Sequence, residues 1–258
     1  MSRTHHFIHF KRINLLYGRV PKVANSSIKH ALCKLLEEKP TKGLKTTSDR
    51  FWRDYTHDET ELLSPLQARK LRNTHFSFSF VRNPFDRLVA AYNNKVIEIE
   101  APPLPMQRMG VKHGMTFDEF INTLLDNPLE NFDVHILPQF KILCTENHLV
   151  PKFIGRMEEM DHHWANLRKR MLKQGIKVAK TPPQKNVRRL ERNSLRKYFH
   201  SSEVVDKTIK LYGKDIEIFY PDASIDDLIE NKPLETIHPK KISKLHNQAN
   251  NDNAVDEP

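Results

Sequence analysis

Apolar residues change their spacing several times along the chain, and each change marks an element. Leu15-Leu16-Tyr17-Gly18-Arg19-Val20 is a compact apolar run ending before Pro21-Lys22, which predicts a short strand. From Ser26 the spacing becomes helical. Ile28, Ala31, Leu32, Leu35 and Leu36 recur three and four residues apart, and Asn25, Ser26 and Ser27 stand where an N-cap belongs. His75-Phe76-Ser77-Phe78-Ser79-Phe80-Val81 alternates as a strand does. Asn83-Pro84 then opens a helix with Phe85, Leu88, Val89, Tyr92 and Val96 on one face. The chain thus holds two strand–turn–helix units.

The remaining pattern is less regular. Residues 40–60 show no period and read as loop, and Ser64-Pro65 opens a short helix toward Arg72. Ala101-Pro102-Pro103-Leu104-Pro105 reads as a linker, and Thr116-x-x-Glu119 is a capping box ahead of Phe117, Phe120, Ile121, Leu124 and Leu125. Lys152-Phe153-Ile154-Gly155 is a third strand, followed by a helix from about Glu158 to Lys173 that Gly175 ends. Val204, Val205, Ile209 and Tyr212 outline a late helix, and the polar tail after Lys240 is expected to be disordered. Strands alternating with helices predict an α/β fold, a mainly parallel sheet flanked by helices. The expected organisation is a single domain over residues 1–222 with a C-terminal extension over 223–258. Ligands of such sheets bind beyond the carboxyl ends of the strands, where both units place their most distinctive residues.

Composition narrows the partners. With 258 residues, 38% hydrophobic and 29% charged, the chain has the length and balance of a globular domain with a real core. No stretch approaches the ~20 apolar residues of a membrane span, and the first ten residues lack the apolar run of a signal peptide. Nothing in these segments marks the chain for secretion. Cys33 and Cys144 are the two cysteines, which leaves room for one bridge but not for a disulfide framework or a zinc site; a reducing compartment is the simpler reading. A net charge of +10 favours polyanions: nucleic acid, an anionic membrane, a nucleotide or an acidic polysaccharide. Charge alone does not choose among them.

The two turns carry the chemistry. In Pro21-Lys22-Val23-Ala24-Asn25-Ser26-Ser27 a helix N-terminus, two hydroxyls and a lysine can hold a phosphate; a capped helix with a surface lysine is the plain alternative. In Val81-Arg82-Asn83-Pro84-Phe85-Asp86-Arg87, Arg82 can grip a phosphate with two parallel bonds. An Arg82–Asp86 or Arg87–Asp86 pair that holds the turn is the alternative there. Neither G-x-x-x-x-G-K-[ST] nor G-x-G-x-x-G is present, since Gly213-Lys214 is followed by Asp215. Two phosphate-grade turns, each after a strand and each opening a helix, suit a ligand with two separated phosphates.

These residues resemble the sulfotransferases that use 3′-phosphoadenosine 5′-phosphosulfate (PAPS). The first turn is similar to their 5′-phosphosulfate loop, P-K-x-G/A-x-S/T-S/T, and the second to their 3′-phosphate site, R-x-P-x-x-R-x-x-S-x-Y. The likeness is greatest to the chondroitin- and dermatan-type carbohydrate sulfotransferases and their bacterial relatives, where P-K-V-A and F-V-R-x-P-F-x-R-L-V-x-A-Y-x-N-K stretches recur. Leu143-Cys144 with Phe153-Ile154-Gly155-Arg156-Met157-Glu158, and the stretch from Lys207 to Phe219, extend the resemblance to roughly residues 15–222. It implies a P-loop-like fold and transfer of a sulfonate from PAPS, as co-substrate and without a metal, to a hydroxyl on a carbohydrate. Lys22 then acts at the bridging oxygen and 5′-phosphate, with Pro21, Val23, Ala24, Asn25, Ser26 and Ser27 completing the pocket. Arg82 takes the 3′-phosphate, and Lys185 and Asn186 close over the nucleotide. Two histidines are candidate bases: His57, between the two motifs, and His135, before Leu137-Pro138-Gln139 in a segment similar to an E-H-W stretch. For both, a surface histidine in a polar loop is the competing reading.

The sequence departs from the family pattern at Ala90, where the motif has serine, and at Asn147, where a second cysteine is usual; no N-terminal membrane anchor is expected, and a cytoplasmic enzyme is the expectation. Two other functional classes fit the sequence less well. A kinase-like phosphotransferase requires a Gly-rich loop and Mg²⁺ carboxylates, and neither is evident. A nucleic-acid-binding module on Lys185, Arg188, Arg189, Arg192, Arg196 and Lys197 lacks interleaved aromatics, so no nucleic-acid partner is expected.

Overall fold

A computed structural model of the chain describes residues 5–40, 43–145, 148–181 and 195–232. These residues gather into two compact units, one holding 5–81 and 140–181, the other 82–139 and 195–232. Elements are numbered along the whole chain.

The first unit is the α/β one. Its strands are β1 (Phe7–Phe10), β2 (Leu15–Gly18), β3 (Thr60–Leu63), β4 (Phe76–Val81) and β7 (Phe153–Arg156), in the order β3-β1-β2-β4-β7. β2 pairs parallel with β4, and β4 with β7, while β1 runs antiparallel to both β2 and β3. Four of the five strands therefore point the same way, so the expected mainly parallel sheet is present. Helices α1 (Asn25–Leu32), α2 (Asp49–Asp54), α3 (Pro65–Leu71), α7 (Gln139–Leu143) and α8 (Met160–Leu172) complete this part, with a small ribbon of β5 (Cys144–Thr145) and β6 (His148–Leu149). β4 lies between β2 and β7, and its serines do not face water. Ser79 Oγ donates to the Gly18 carbonyl at 2.7 Å and Ser77 Oγ accepts from Lys152 N–H at 2.9 Å, so the alternation reports side-chain size, not exposure.

The second unit is helical: α4 (Pro84–Tyr92), a π-turn (Asn93–Ile97), α5 (Leu104–Arg108), α6 (Phe117–Leu125), α9 (Ser202–Phe219) and α10 (Ile225–Ile229). Its core is aromatic, with Phe85 and Phe117 edge-on to Phe199 at 4.9 and 5.3 Å between ring centroids. The Thr116–Glu119 capping box forms as the spacing predicts, Thr116 N–H donating to Glu119 Oε2 at 2.8 Å.

Two expectations change. The stretch 40–60 contains α2 and the start of β3, and the proline-rich linker contains α5, because proline is tolerated in a first helical turn. The extension begins with an ordered helix. α10 has its own Ser224–Asp227 capping box, buries Leu228 and Ile229, and receives a 2.7 Å bond from Asn83 Nδ2 to the Leu228 carbonyl. Cys33 and Cys144 are both free cysteines, so no bridge joins them. Among the described residues no helix is long and apolar enough to cross a membrane. Asn147 and the tail after Lys240 lie outside the described residues.

Candidate functional site

The turn after β2 depends on an unusual backbone. Lys22 and Ala24 both have left-handed φ, 67° and 47°. That conformation costs about 1–2 kcal/mol at a non-glycine residue and persists only where its surroundings hold it. The helix α1 begins at Asn25 with Ala24 as its N-cap, and no side chain caps it. Asn25, Ser26 and Ser27 therefore occupy the first three positions of the helix, contrary to their expected place at the cap. The Asn25 carboxamide is engaged elsewhere, accepting from the Tyr17 hydroxyl at 3.1 Å. Since the first N–H groups of a helix have no intrahelical acceptor, an uncapped start leaves a donor-rich edge.

Charge is organised around this turn. Arg19, the first residue after β2, bonds through its guanidinium to the Asp49 carboxylate and the His5 carbonyl. Lys29, one helical turn into α1, donates to Asp49 Oδ1 at 2.7 Å and to the Thr47 carbonyl at 2.9 Å. Burial opposes charge on Asp49, yet the two cations together hold its carboxyl below the ordinary range. The Arg19 Nε group is buried without a hydrogen-bond partner among the described residues. The left-handed turn at Lys22 and Ala24 and a helix start without a side-chain cap leave backbone N–H groups for an anion, so these residues fit a phosphate.

The turn after β4 is built differently. Arg82 clasps Asp86 in a two-bond pair, Nε to Oδ2 at 2.7 Å and Nη2 to Oδ1 at 2.9 Å. Of the two pairs open to the sequence, this i,i+4 pair is the one formed. Asn83 caps α4, its Oδ1 accepting from Phe85 N–H at 3.1 Å. Gln139 closes the turn from across the unit, accepting from Arg82 N–H at 3.0 Å and donating to the Arg82 carbonyl at 2.8 Å. Arg87 is buried and donates to the carbonyls of Leu137 (2.9 Å) and Val134 (3.3 Å). Tyr212 Oη donates to the Ile136 carbonyl at 2.7 Å, and Gln139 N–H to Asp215 Oδ2 at 2.7 Å. Segment 133–139 is thereby held by α4 and α9.

That segment carries His135. Its Nδ1 lies 2.6 Å from Asp133 Oδ1, and its backbone N–H donates to the same oxygen at 2.9 Å. Asp133 is buried, and burial opposes its charge. The bonds and charge of His135, helped by Lys95 on the π-turn, hold its carboxyl below the usual range. An ionised carboxylate on Nδ1 fixes the imidazole tautomer and leaves Nε2 as the proton-accepting nitrogen. His57 stands differently. It lies in the first unit in a left-handed turn, φ 49°, with Nε2 3.1 Å from Glu38 and both side chains more than half exposed. Lys185 and Asn186 lie outside the described residues, as do Arg188, Arg189 and Arg192 of the basic stretch. Among the described residues, no group of three or more His, Cys, Asp or Glu is arranged to hold a metal ion.

Comparison with known proteins decides the family. The sequence matches the Sulfotransferase family over residues 5–221. The chain belongs to that family. The sulfotransferase match takes in both turns and the Asp133–His135 pair. Carbohydrate sulfotransferase 14 of Mus musculus is 30% identical over 174 residues, 60% of this chain and 44% of the relative. The Danio rerio protein of that name is 31% identical over 163 residues, 57% and 42% of the two chains. Carbohydrate sulfotransferase 12 of Mus musculus is 27% identical over 204 residues, 63% and 47%. This chain spans less than half the length of these curated relatives. No solved structure matches it significantly. Within the sulfotransferase frame, sequence reasoning missed Asp49, Asp133 and Lys95; the Asp-x-His spacing of Asp133 and His135 was a readable signal for one of them.

Proposed function

We propose that the chain is a PAPS-dependent O-sulfotransferase acting on a carbohydrate hydroxyl. The observation that supports this is the β2–α1 turn, with Lys22 and Ala24 left-handed ahead of an uncapped helix N-terminus, in a chain of the Sulfotransferase family. PAPS supplies an activated sulfonate, whose sulfur–oxygen bond to the phosphate breaks as the acceptor oxygen bonds to sulfur. Lys22 offsets the negative charge that gathers on the departing phosphate. The backbone N–H groups of Asn25, Ser26 and Ser27 orient that phosphate along the α1 axis. Arg82 is assigned to the 3′-phosphate, with its charge partly answered by Asp86.

His135 Nε2 takes the acceptor's proton in this reading, and Asp133 stabilises the imidazolium that results. A buried, ionised orienting carboxylate supports His135 over His57, whose partner Glu38 is exposed. Thermal melts with the desulfated nucleotide, using ATP as the control, test the assignment. At ~100 times its dissociation constant a ligand specific for the folded state adds about 2.7 kcal/mol. No shift, or an equal shift with ATP, refutes the nucleotide site.

A further inference from the structure

The end of the sheet away from the two turns carries a chain of polar side chains that the candidate site does not use. His9 on β1 stands opposite Glu61 on β3 and Leu16 on β2, and Leu16 stands opposite Ser77 on β4. His75, two residues before Ser77, falls on the same face as that row. The two imidazoles meet across β2. His9 Nε2 lies 2.9 Å from His75 Nε2, and both residues keep only 8% of their surface. Each ring is also held on its far side. His9 Nδ1 donates to Glu61 Oε1 at 2.9 Å, and His75 Nδ1 lies 2.8 Å from Thr74 Oγ1, itself 3.2 Å from the Leu71 carbonyl.

Counting hydrogens shows what this chain tolerates. The two rings have four nitrogens between them. The Glu61 carboxylate accepts, so His9 Nδ1 carries a hydrogen, and a second hydrogen lies between the facing Nε2 atoms. The Thr74 hydroxyl turns either to His75 or to the Leu71 carbonyl, so the chain closes with two ring hydrogens or with three. A fourth points two N–H groups at each other across 2.9 Å, and the contact cannot survive it. The surrounding charges favour the lower count at His75. Lys152, just before β7, adds a like charge there, and Arg72, after α3, reinforces Lys152. Glu61 is the anion beside the pair, and it also attracts Lys11, whose partner is Asp58. Burial, and after it the charge of His9, lower the pKa of His75 below the ordinary histidine value.

We propose that the His9–His75 contact is a pH-sensitive clamp, which ties β1 to the start of β4 and opens when both imidazoles are protonated. It acts on the strand that reaches the first turn: at the other end of β1, Arg19 N–H donates to the His6 carbonyl at 2.8 Å, and the Arg19 guanidinium bonds the His5 carbonyl. The clamp does not depend on what the chain binds. The unfolded chain takes the second proton more readily than the folded one, so stability is full above the ordinary histidine range. It falls as pH drops through that range, and the loss is complete below the folded value of His75. Amide hydrogen exchange of β1 in the full chain, corrected for intrinsic rates and followed from about pH 7.5 to pH 5, tests this. Over that range the natural chain is expected to lose at least about fivefold more protection than His75→Gln, the scale of one lost hydrogen bond. His30→Gln, which removes an exposed histidine on α1, should behave as the natural chain does. If His75→Gln folds poorly, His9→Gln provides the same comparison, since it too removes the facing pair of N–H groups. Ring NMR of the natural chain should show His75 still neutral at a pH where His30 is half protonated. Equal loss of protection in the natural chain and the clamp variant overturns the proposal, as does the same relief in His30→Gln or a His75 ring that titrates together with His30.

Discussion

Replacing Asp49 by alanine removes the one anion that Arg19 and Lys29 share, and leaves two cations in a site where their side chains retain only 7% and 3% of their surface. Breaking a buried pair by deleting one partner costs about 3–5 kcal/mol. Asp49 keeps 14% of its own surface, which places the expected loss near the lower end, about 3 kcal/mol. In a chain of this size that is a fall in Tm of roughly 6–12 °C. Asp49→Asn retains an acceptor and should lose less. The pH dependence follows from the same geometry. One carboxylate serves two cations, so at Asp49 attraction outweighs burial and the folded pKa is depressed. Its stabilisation is complete above the unfolded carboxylate range and lost as pH falls through the folded value. At Lys29 burial outweighs the pull of Asp49, and its folded pKa is lowered as well. The folded chain then binds fewer protons than the unfolded one, so stability rises with pH between Lys29's folded and unfolded values. Urea unfolding of the natural chain and both variants across pH measures all of this. A loss below about 1 kcal/mol for Asp49→Ala, with an unchanged acid limb, refutes the reading that ionised Asp49 offsets the two buried cations.

Other perturbations separate the remaining assignments. His135→Ala should lower single-turnover transfer by ~10²–10⁴-fold with little change in nucleotide affinity, while His57→Ala stays near the natural rate; the reverse pattern returns the base to His57. Ala90→Ser should tighten binding of the desulfated nucleotide by about 1 kcal/mol in calorimetric titration, if a hydroxyl from α4 can reach the 3′-phosphate; unchanged affinity removes that contact. Gly155→Ala should cost about 1–3 kcal/mol in urea unfolding, because its Cβ would stand 2.4 Å from the Phe80 ring; a neutral effect means that the ring can yield.

The sequence made some elements easy to read and hid others, for physical reasons. β2, β4, β7 and α1 announce themselves through spacing, and Thr116-x-x-Glu119 through its cap chemistry. β1 is only four residues, Phe-Ile-His-Phe, buried on both faces between β2 and β3, so it has neither alternation nor a uniformly apolar run. β3 is short and half-polar, and α2 is a six-residue helix whose apolar content is Phe51 and Trp52. At the site, Lys22 and Arg82 are visible because family motifs fix their place in a turn. Asp133, Asp49 and Lys95 matter through what they touch in space, and only Asp133 leaves a local trace, two residues before His135. The choice between Arg82–Asp86 and Arg87–Asp86 likewise depended on which arginine the carbonyls of Val134 and Leu137 capture.

The central claim is that this turn serves sulfonate transfer, and its most direct measurement is transfer of labelled sulfonate from PAPS to a polysaccharide acceptor. The account predicts label in the carbohydrate fraction with stoichiometric release of the desulfated nucleotide. It predicts that Lys22→Ala loses both transfer and nucleotide-induced stabilisation while its melting temperature without ligand stays close to that of the natural chain. Label that never leaves PAPS across polysaccharide acceptors, or transfer that survives Lys22→Ala at the natural rate, contradicts it.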